Sequence, residues 1–216
     1  MPLITSAKAG GKDWEPIPQG SHVARCVSVV DLGLQESTYQ GDTTFKEKVY
    51  LGFEVPGVQV EWEKDGVKQS GPGLIGSTYT NSISDRAILG QHLVSWRGKA
   101  FTEAERKGFD LFNVLDVPCL ISVTHKQVGD KTYANITAII SLPKGVDVPD
   151  RATDLLAYTP NDIEKAKNFD KLPEWLQKKC TAGHRIEKKP DPVDEYKSLP
   201  PLSDTLDDYD DSEIPF

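Results

Sequence analysis

The feature that most restricts the fold is a stretch at residues 45–55 in which apolar and polar side chains alternate. Successive side chains of a β-strand point to opposite faces, so the pattern predicts a strand with one face in the core. The apolar face carries Phe45, Val49, Leu51, Phe53 and Val55. The opposite face carries Lys46, Lys48 and Tyr50, and is therefore basic with an aromatic ring in it.

Further strands are predicted on both sides of this one, from β-branched and aromatic composition and from turn signals. Gly33 ends the first of them with a residue suited to a bulge. Asp65-Gly66 is a strong hairpin turn signal. Pro56-Gly57 also reads as a turn, and the Ser70–Gly73 cluster as a strand break. The predicted strands are 22–32, 45–55, the hairpin 58–67, 74–81, 119–126 and 132–140.

Two helices are predicted between the strands 74–81 and 119–126. Ser84 can cap the first, because its hydroxyl can accept a bond from an unpaired first-turn amide, and Gly98 ends it. Thr102 and Glu105 have the spacing of a capping box for a short second helix. The order strand, strand, strand, helix, strand, strand is that of a mainly β, five-stranded OB-fold barrel. Periodicity alone does not distinguish this fold from another small barrel or a sandwich.

The composition divides the chain into four parts. We predict an N-terminal arm at residues 1–18 and the OB-fold domain at 19–142. Residues 143–189 contain short helical patterns, and we expect this extension to pack on the barrel. Residues 190–216 are rich in proline and acids with few apolar residues, which is typical of disorder.

The net charge of −8 lies entirely in that last part. Residues 190–216 hold nine acidic residues and one basic residue, Lys197, whereas residues 1–189 hold 24 of each kind. A nucleic-acid-binding surface is basic, so an acidic chain would usually be excluded from that class. Here the body is neutral, and it can still concentrate lysines on one face.

The residues give little support for a disulfide-rich, membrane, nucleotide-binding or metal-binding protein. Three well-separated cysteines argue against a disulfide framework and favour a reducing cytoplasm. No signal peptide and no apolar run of about 18 residues is present. There is no phosphate-binding GxxxxGK[ST] loop, and Cys180 with His184 is too small a set for zinc. We therefore expect no membrane association, no metal, no cofactor and no enzymatic activity.

The last ten residues combine an acidic run, interrupted by Ser212, with an apolar end at the terminal carboxylate. This tip resembles the acidic C-terminal peptide of bacterial and phage single-stranded DNA-binding proteins. The resemblance implies recruitment of replication and recombination partners, such as a polymerase, helicase, nuclease or recombinase, into basic, apolar pockets. The implied partner-binding residues are Asp207, Asp208, Tyr209, Asp210, Asp211, Glu213, Ile214, Pro215 and Phe216.

Binding of single strands without sequence preference needs lysines for phosphates and aromatic faces for bases. The basic strand face supplies both, and the OB-fold prediction extends it onto neighbouring strands and loops. A solvated sheet face remains the alternative for each residue taken singly, and Trp62 could equally be a core residue. The predicted DNA-binding residues are Tyr39, Lys46, Lys48, Tyr50, Trp62, Tyr79, Lys126, Lys131 and Tyr133.

Body and tail together resemble phage-encoded OB-fold single-stranded DNA-binding proteins. The resemblance implies a cytoplasmic protein that coats and protects single-stranded DNA during replication, recombination or repair. Two alternatives stay open. One is an acidic interaction module or DNA mimic that binds a host protein and ignores DNA. The other is an OB-domain nuclease, for which Asp31, Glu54, Glu61 and Glu63 offer carboxylates without a distinguishing spacing.

Overall fold

A computed structural model describes residues 16–39, 42–64 and 67–184, without the side chains of residues 39, 42 and 62–64. The strands are β1 (Gly20–Tyr39), β2 (Asp42–Lys64), β3 (Val67–Thr80), β4 (Pro118–Val128), β5 (Lys131–Ile140) and β6 (Leu156–Tyr158). The helices are α1 (Ile88–Arg97), α2 (Glu103–Lys107), α3 (Ile163–Ala166) and α4 (Glu174–His184), with 3₁₀ turns at Leu111–Val114 and Phe169–Lys171. None of the helices in these ranges has the length and apolar character needed to cross a lipid bilayer.

The five long strands form one curled antiparallel sheet in the order β3-β2-β1-β4-β5. This is a half-barrel. Within the described part of the chain, its end strands β3 and β5 share no ladder of backbone hydrogen bonds. Helix α1 packs against both of these strands, so it covers the open side of the half-barrel. The mainly β class and the predicted position of the helix between the third and fourth strands are confirmed.

Strand β1 is the centre of the sheet because it changes partners along one edge. Residues Gly20–Arg25 pair with β4, and residues 28–30 pair in parallel with β6. Its pairing with β2 shifts register between Cys26 and Ser28 and again between Asp31 and Gly33. Such bulges bend a strand and increase its twist. Gly33 has φ +66°, a conformation that glycine adopts readily, and the shift lies where the sequence predicts a bulge.

The hairpin of β2 and β3 is longer and more continuous than the sequence predicts. Pro56-Gly57 produces a register shift between Val55 and Gln59, and β2 continues to Lys64 instead of turning there. Residues 70–73 pair within β3 instead of breaking it. Cross-strand hydrogen bonds thus override two local breaker signals. Pro72 is tolerated because β3 lies at the edge of the sheet, and Pro56 because it lies at a bulge.

The helix signals between β3 and β4 are partly confirmed. Thr102 and Glu105 form the predicted capping box at the start of α2, and Gly98 ends α1 in the left-handed conformation at φ +66°. Ser84, however, does not cap α1. That helix begins after Ala87, which has no side-chain cap, and the carbonyl of Ser84 accepts the Ala87 amide at 2.9 Å in a preceding turn.

Two apolar cores lie on opposite faces of the sheet. The inner core, between the concave face and α1, includes Leu51, Phe53, Ile121 and Leu93. The outer core lies over β1 and β2 and is covered by the segment that contains β6 and α4. It consists of Val30, Leu32, Tyr50, Tyr158, Leu172, Leu176 and Cys180, with Leu156, Phe169 and Trp175 at its edge. All three cysteines are buried free thiols.

Candidate nucleic-acid interface

The basic face of β2 lies on the outer side of the sheet. Register places Lys46 opposite Gln35 and Lys48 opposite Gly33 on β1. Val49 and Leu51, which point to the other face of β2, belong to the inner core. Lys46 is exposed and Lys48 is half-buried. The Lys48 Nζ donates a hydrogen bond to Thr80 Oγ1 at 2.8 Å across the β2–β3 ladder, so this amine is held on the outer surface.

Tyr50 shares the face of these lysines but not their exposure. Its side chain is only 7% exposed, and the edge of Trp175 on α4 meets it with ring centroids 5.3 Å apart. Its ring lies across Gly76, where a Cβ atom would come 2.2 Å from the Tyr50 Oη. Burial, and then the neighbouring Cys26, raises the pKa of the Tyr50 phenol. With α4 in this position no base can stack on Tyr50.

Helix α4 adds a third lysine beside the two of β2. The Gln35 Nε2 donates hydrogen bonds to the carbonyls of Leu32 at 2.7 Å and of Lys179 at 3.0 Å. Burial, and then the charge of Lys46, lowers the pKa of Lys48. Burial, and then the charge of Lys48, lowers the pKa of Lys179. Lys46, Lys48 and Lys179 therefore form a group of like charges, which we call the lysine cluster.

The sequence prediction missed Lys179, although one signal pointed towards it. Trp175, Leu176 and Cys180 form the apolar face of α4, and Lys179 is one turn after Trp175, at the border of that face. Helical spacing could have shown that the lysine flanks a buried stripe. It could not have shown which strands the stripe covers.

A second basic patch lies at the β4–β5 hairpin. Lys126 pairs directly with Tyr133 in the ladder, and Lys131 follows the turn as the partner of Val128. Both lysines are exposed and Tyr133 is half-buried. Strand β4 runs antiparallel to β1 and continues beyond Gly20, the first residue of β1. The β4–β5 hairpin therefore lies at the start of β1, whereas the β1–β2 connection lies at its end. The predicted DNA-binding residues thus fall into two groups.

Tyr79 belongs to the inner side of the sheet. It is 6% exposed, and its Oη lies 3.2 Å from His92 Nδ1 on α1. The His92 Nε2 lies 3.3 Å from the carbonyl oxygen of Thr137 on β5. A carbonyl only accepts, so Nε2 carries the proton and Nδ1 accepts from the tyrosine hydroxyl. His92 thereby links the two end strands of the half-barrel, and Tyr79 is occupied in that link.

Phe45 departs from its predicted core position. It is 52% exposed and lies opposite Glu36 near the end of the β1–β2 ribbon, where residues 43–47 are all exposed. The alternation correctly separates Phe45 from Lys46. The inner core does not reach this far, because no helix or strand of the inner layer covers the ribbon in the described chain. An exposed aromatic ring is consequently present beside the lysine cluster.

Two of the carboxylates considered for a nuclease are occupied by backbone and hydroxyl donors. Glu54 is fully buried and accepts the amides of Ala152 and Thr153, the shortest at 2.7 Å from Thr153 N to Oε2. Asp31 accepts the Gly33 amide and the Thr159 hydroxyl, both at 2.9 Å. Within the described ranges, no group of three or more histidine, cysteine, aspartate or glutamate side chains is placed to hold a metal ion.

The remaining predicted residues lie outside what the structure describes. Tyr39 ends β1 and Trp62 lies in β2, but their side chains are not among those described. The tip at residues 207–216 lies beyond the last described residue, His184. Their assigned roles remain predictions.

A scan against models of known protein families finds no match to this chain. A search of curated proteins also finds no similar sequence.

Proposed function

We propose that this chain is a phage-encoded, sequence-independent single-stranded DNA-binding protein built on an OB-fold. It coats and protects single strands during replication or recombination, and its C-terminal tip recruits partner proteins. The strand order β3-β2-β1-β4-β5, with helices between β3 and β4, supports the fold assignment. An OB-fold is itself a partly open barrel, which accommodates the gap between β3 and β5.

One observation carries the functional proposal. The two basic groups flank the β1–β2 and β4–β5 connections, and those two loops, with the face of strands 2 and 3, are where OB-folds bind oligonucleotides. The first group holds Lys46 and Lys48, and the second holds Lys126 and Lys131. Phosphates bind lysines without regard to base identity, so this arrangement favours binding without sequence preference.

The stacking residues of the proposed site differ from those predicted by sequence. Tyr50 and Tyr79 are assigned to the fold, since one is covered by α4 and the other bonds to His92. Tyr133, half-buried and directly opposite Lys126, is kept from the sequence prediction, and Phe45, exposed next to Lys46, is added. Each stacked base contributes about 1 to 3 kcal/mol.

The proposal is tested by fluorescence anisotropy with labelled oligo-dT and a duplex of equal length, with and without magnesium. We expect tight oligo-dT binding that weakens as salt rises, and an intact oligonucleotide with magnesium present. The pair Lys126→Gln and Lys131→Gln should weaken binding. The pair Lys107→Gln and Lys167→Gln, which removes the same charge from exposed helix-flanking positions, should not.

Two other outcomes of these titrations would support the alternative functions. A chain that ignores all oligonucleotides and instead binds a basic host protein would be the acidic interaction module. Magnesium-dependent loss of full-length oligonucleotide would indicate the nuclease.

A further inference from the structure

We infer that helix α4 contributes a phosphate-binding residue, Lys179, which completes a site with Lys46 and Lys48 for the backbone of single-stranded DNA at the β1–β2 end of the sheet. The inference rests on the proposed function and deepens it, because it adds a residue from outside the barrel strands to the binding surface.

The position of α4 on β1 brings the backbone of Lys179 to the part of the sheet that carries Lys46 and Lys48. Lys46 and Lys48 face Gln35 and Gly33 across the β1–β2 ladder. The same two residues contact α4, since Gln35 bonds to the carbonyl of Lys179 and a Cβ atom on Gly33 would lie 2.8 Å from the carbonyl carbon of Gly183. The helix thus crosses β1 beside the positions that oppose both lysines.

Lys48 and Lys179 have no ion-pair partner among the described side chains. Apart from burial, it is another lysine that lowers the pKa of each. Amines held together in this way repel one another. A bound phosphate relieves the repulsion, and its binding displaces counterions from the DNA backbone.

The adjoining residue on α4 has a different environment and provides an internal control. Lys178 forms an ion pair with Glu174 at 2.6 Å, one turn earlier on the same helix. Lys178 and Lys179 are neighbours with equal charge, and the charge of Lys48 contributes to lowering the pKa of Lys179. General attraction of DNA to a basic helix would act through both residues, whereas a defined site requires Lys179 alone.

At Lys48 the site binds backbone and not bases, because the Tyr50 ring on the same face is covered. Tyr50 lies under Trp175, so a strand that reaches Lys48 meets amines and the Thr80 hydroxyl and cannot stack on the Tyr50 ring. Lysine acts on phosphate as a point charge without a fixed geometry, which suits a flexible single strand.

The test compares Lys179→Gln, Lys178→Gln and Lys179→Arg with the unmodified full chain, using oligo-dT titrations at several salt concentrations. Glutamine keeps the first part of the half-buried stem and replaces the charged ammonium group with a neutral, polar amide. We expect Lys179→Gln to reduce the slope of log affinity against log salt by about 0.7, the value for one phosphate contact on single-stranded DNA. Lys178→Gln should leave the slope unchanged, and Lys179→Arg should restore it.

A second measurement examines the cluster without DNA. NMR titration of the lysine ammonium groups should show the pKa of Lys179 rising in Lys48→Gln, since a repelling charge is lost, and remaining constant in Lys107→Gln. An unchanged Lys179 pKa in Lys48→Gln would refute the inference that Lys48 and Lys179 belong to one cluster.

The outcomes separate this inference from the proposed function. If the unmodified chain binds oligo-dT while Lys179→Gln keeps the full slope, or if Lys178→Gln lowers the slope equally, the role of Lys179 is refuted and DNA binding stands. If the unmodified chain binds no oligonucleotide, the proposed function fails and the inference fails with it.

Discussion

Glu54 is the residue whose replacement most directly tests how the C-terminal segment is attached to the sheet. Its carboxylate is fully buried on β2. Oε1 lies 3.0 Å from the Ala152 amide, and Oε2 lies 3.2 Å and 2.7 Å from the amides of Ala152 and Thr153. These bonds hold the chain that leads into β6, and β6 in turn adds Tyr158 to the outer core.

The size of the effect follows from the two donors. In Glu54→Gln, one side-chain oxygen can still accept the Thr153 amide, but the new NH₂ group faces the Ala152 amide, donor against donor. One hydrogen bond to a charged group is thereby lost, and such a bond contributes about 1.5 to 3 kcal/mol. We expect the free energy of unfolding to fall by about that amount.

Urea denaturation with linear extrapolation measures this difference. The matched control is Glu61→Gln, an exposed position on the same strand, which should change stability by less than about 0.5 kcal/mol. Hydrogen exchange should also show faster exchange of the Ala152 and Thr153 amides in Glu54→Gln. Equal stability of Glu54→Gln and the unmodified chain would refute the anchoring role of this carboxylate.

Two other residues give predictions of different kinds. Burial lowers the pKa of His92, and the bond to Thr137 opposes this shift. The unfolded chain therefore binds the proton more readily than the folded chain. The contribution to stability should be fully present above the unfolded pKa of about 6.5 and should be lost as pH falls through the lower folded value. Urea midpoints across that window should decline less in His92→Gln, and identical pH profiles would contradict the assignment. Phe45→Ala should weaken oligo-dT binding by about 5- to 150-fold, from about 1 to 3 kcal/mol of lost stacking, without altering stability. Phe45→Tyr should retain binding, and Val67→Ala, at an exposed position of the other hairpin, should have no effect; unchanged affinity of Phe45→Ala would exclude it from the interface.

Local signals predicted local structure where the residues act through their own neighbours. The Thr102–Glu105 capping box and the Gly98 stop depend on bonds and backbone angles within a few residues. Failures occurred where longer-range pairing competed with such a signal. Pro56-Gly57 is a bulge and not a turn, because strand pairing resumes at Gln59.

The sequence predicted which face of β2 the lysines occupy, but it did not predict which aromatic rings of the candidate interface are exposed. Lys46 and Lys48 are long and charged, so an outer position keeps their amines near water whatever packs beside them. Tyr50 has no such requirement. Its apolar ring can be buried without loss of a charge's hydration, and Trp175, more than a hundred residues later in the chain, covers it.

The sequence by itself determined which residues of β2 share a face, where the helix between β3 and β4 ends, and that the net charge lies in residues 190–216. These properties follow from the two-residue period of a strand, from left-handed glycine and from composition, none of which requires a distant partner. Only the tertiary structure decided which part of each face is exposed. Packing α4 on β1 buried Tyr50 and brought the Lys179 backbone to Gln35 of β1, while the inner core ended before Phe45 and left it exposed, because burial depends on residues that meet only when the chain has folded.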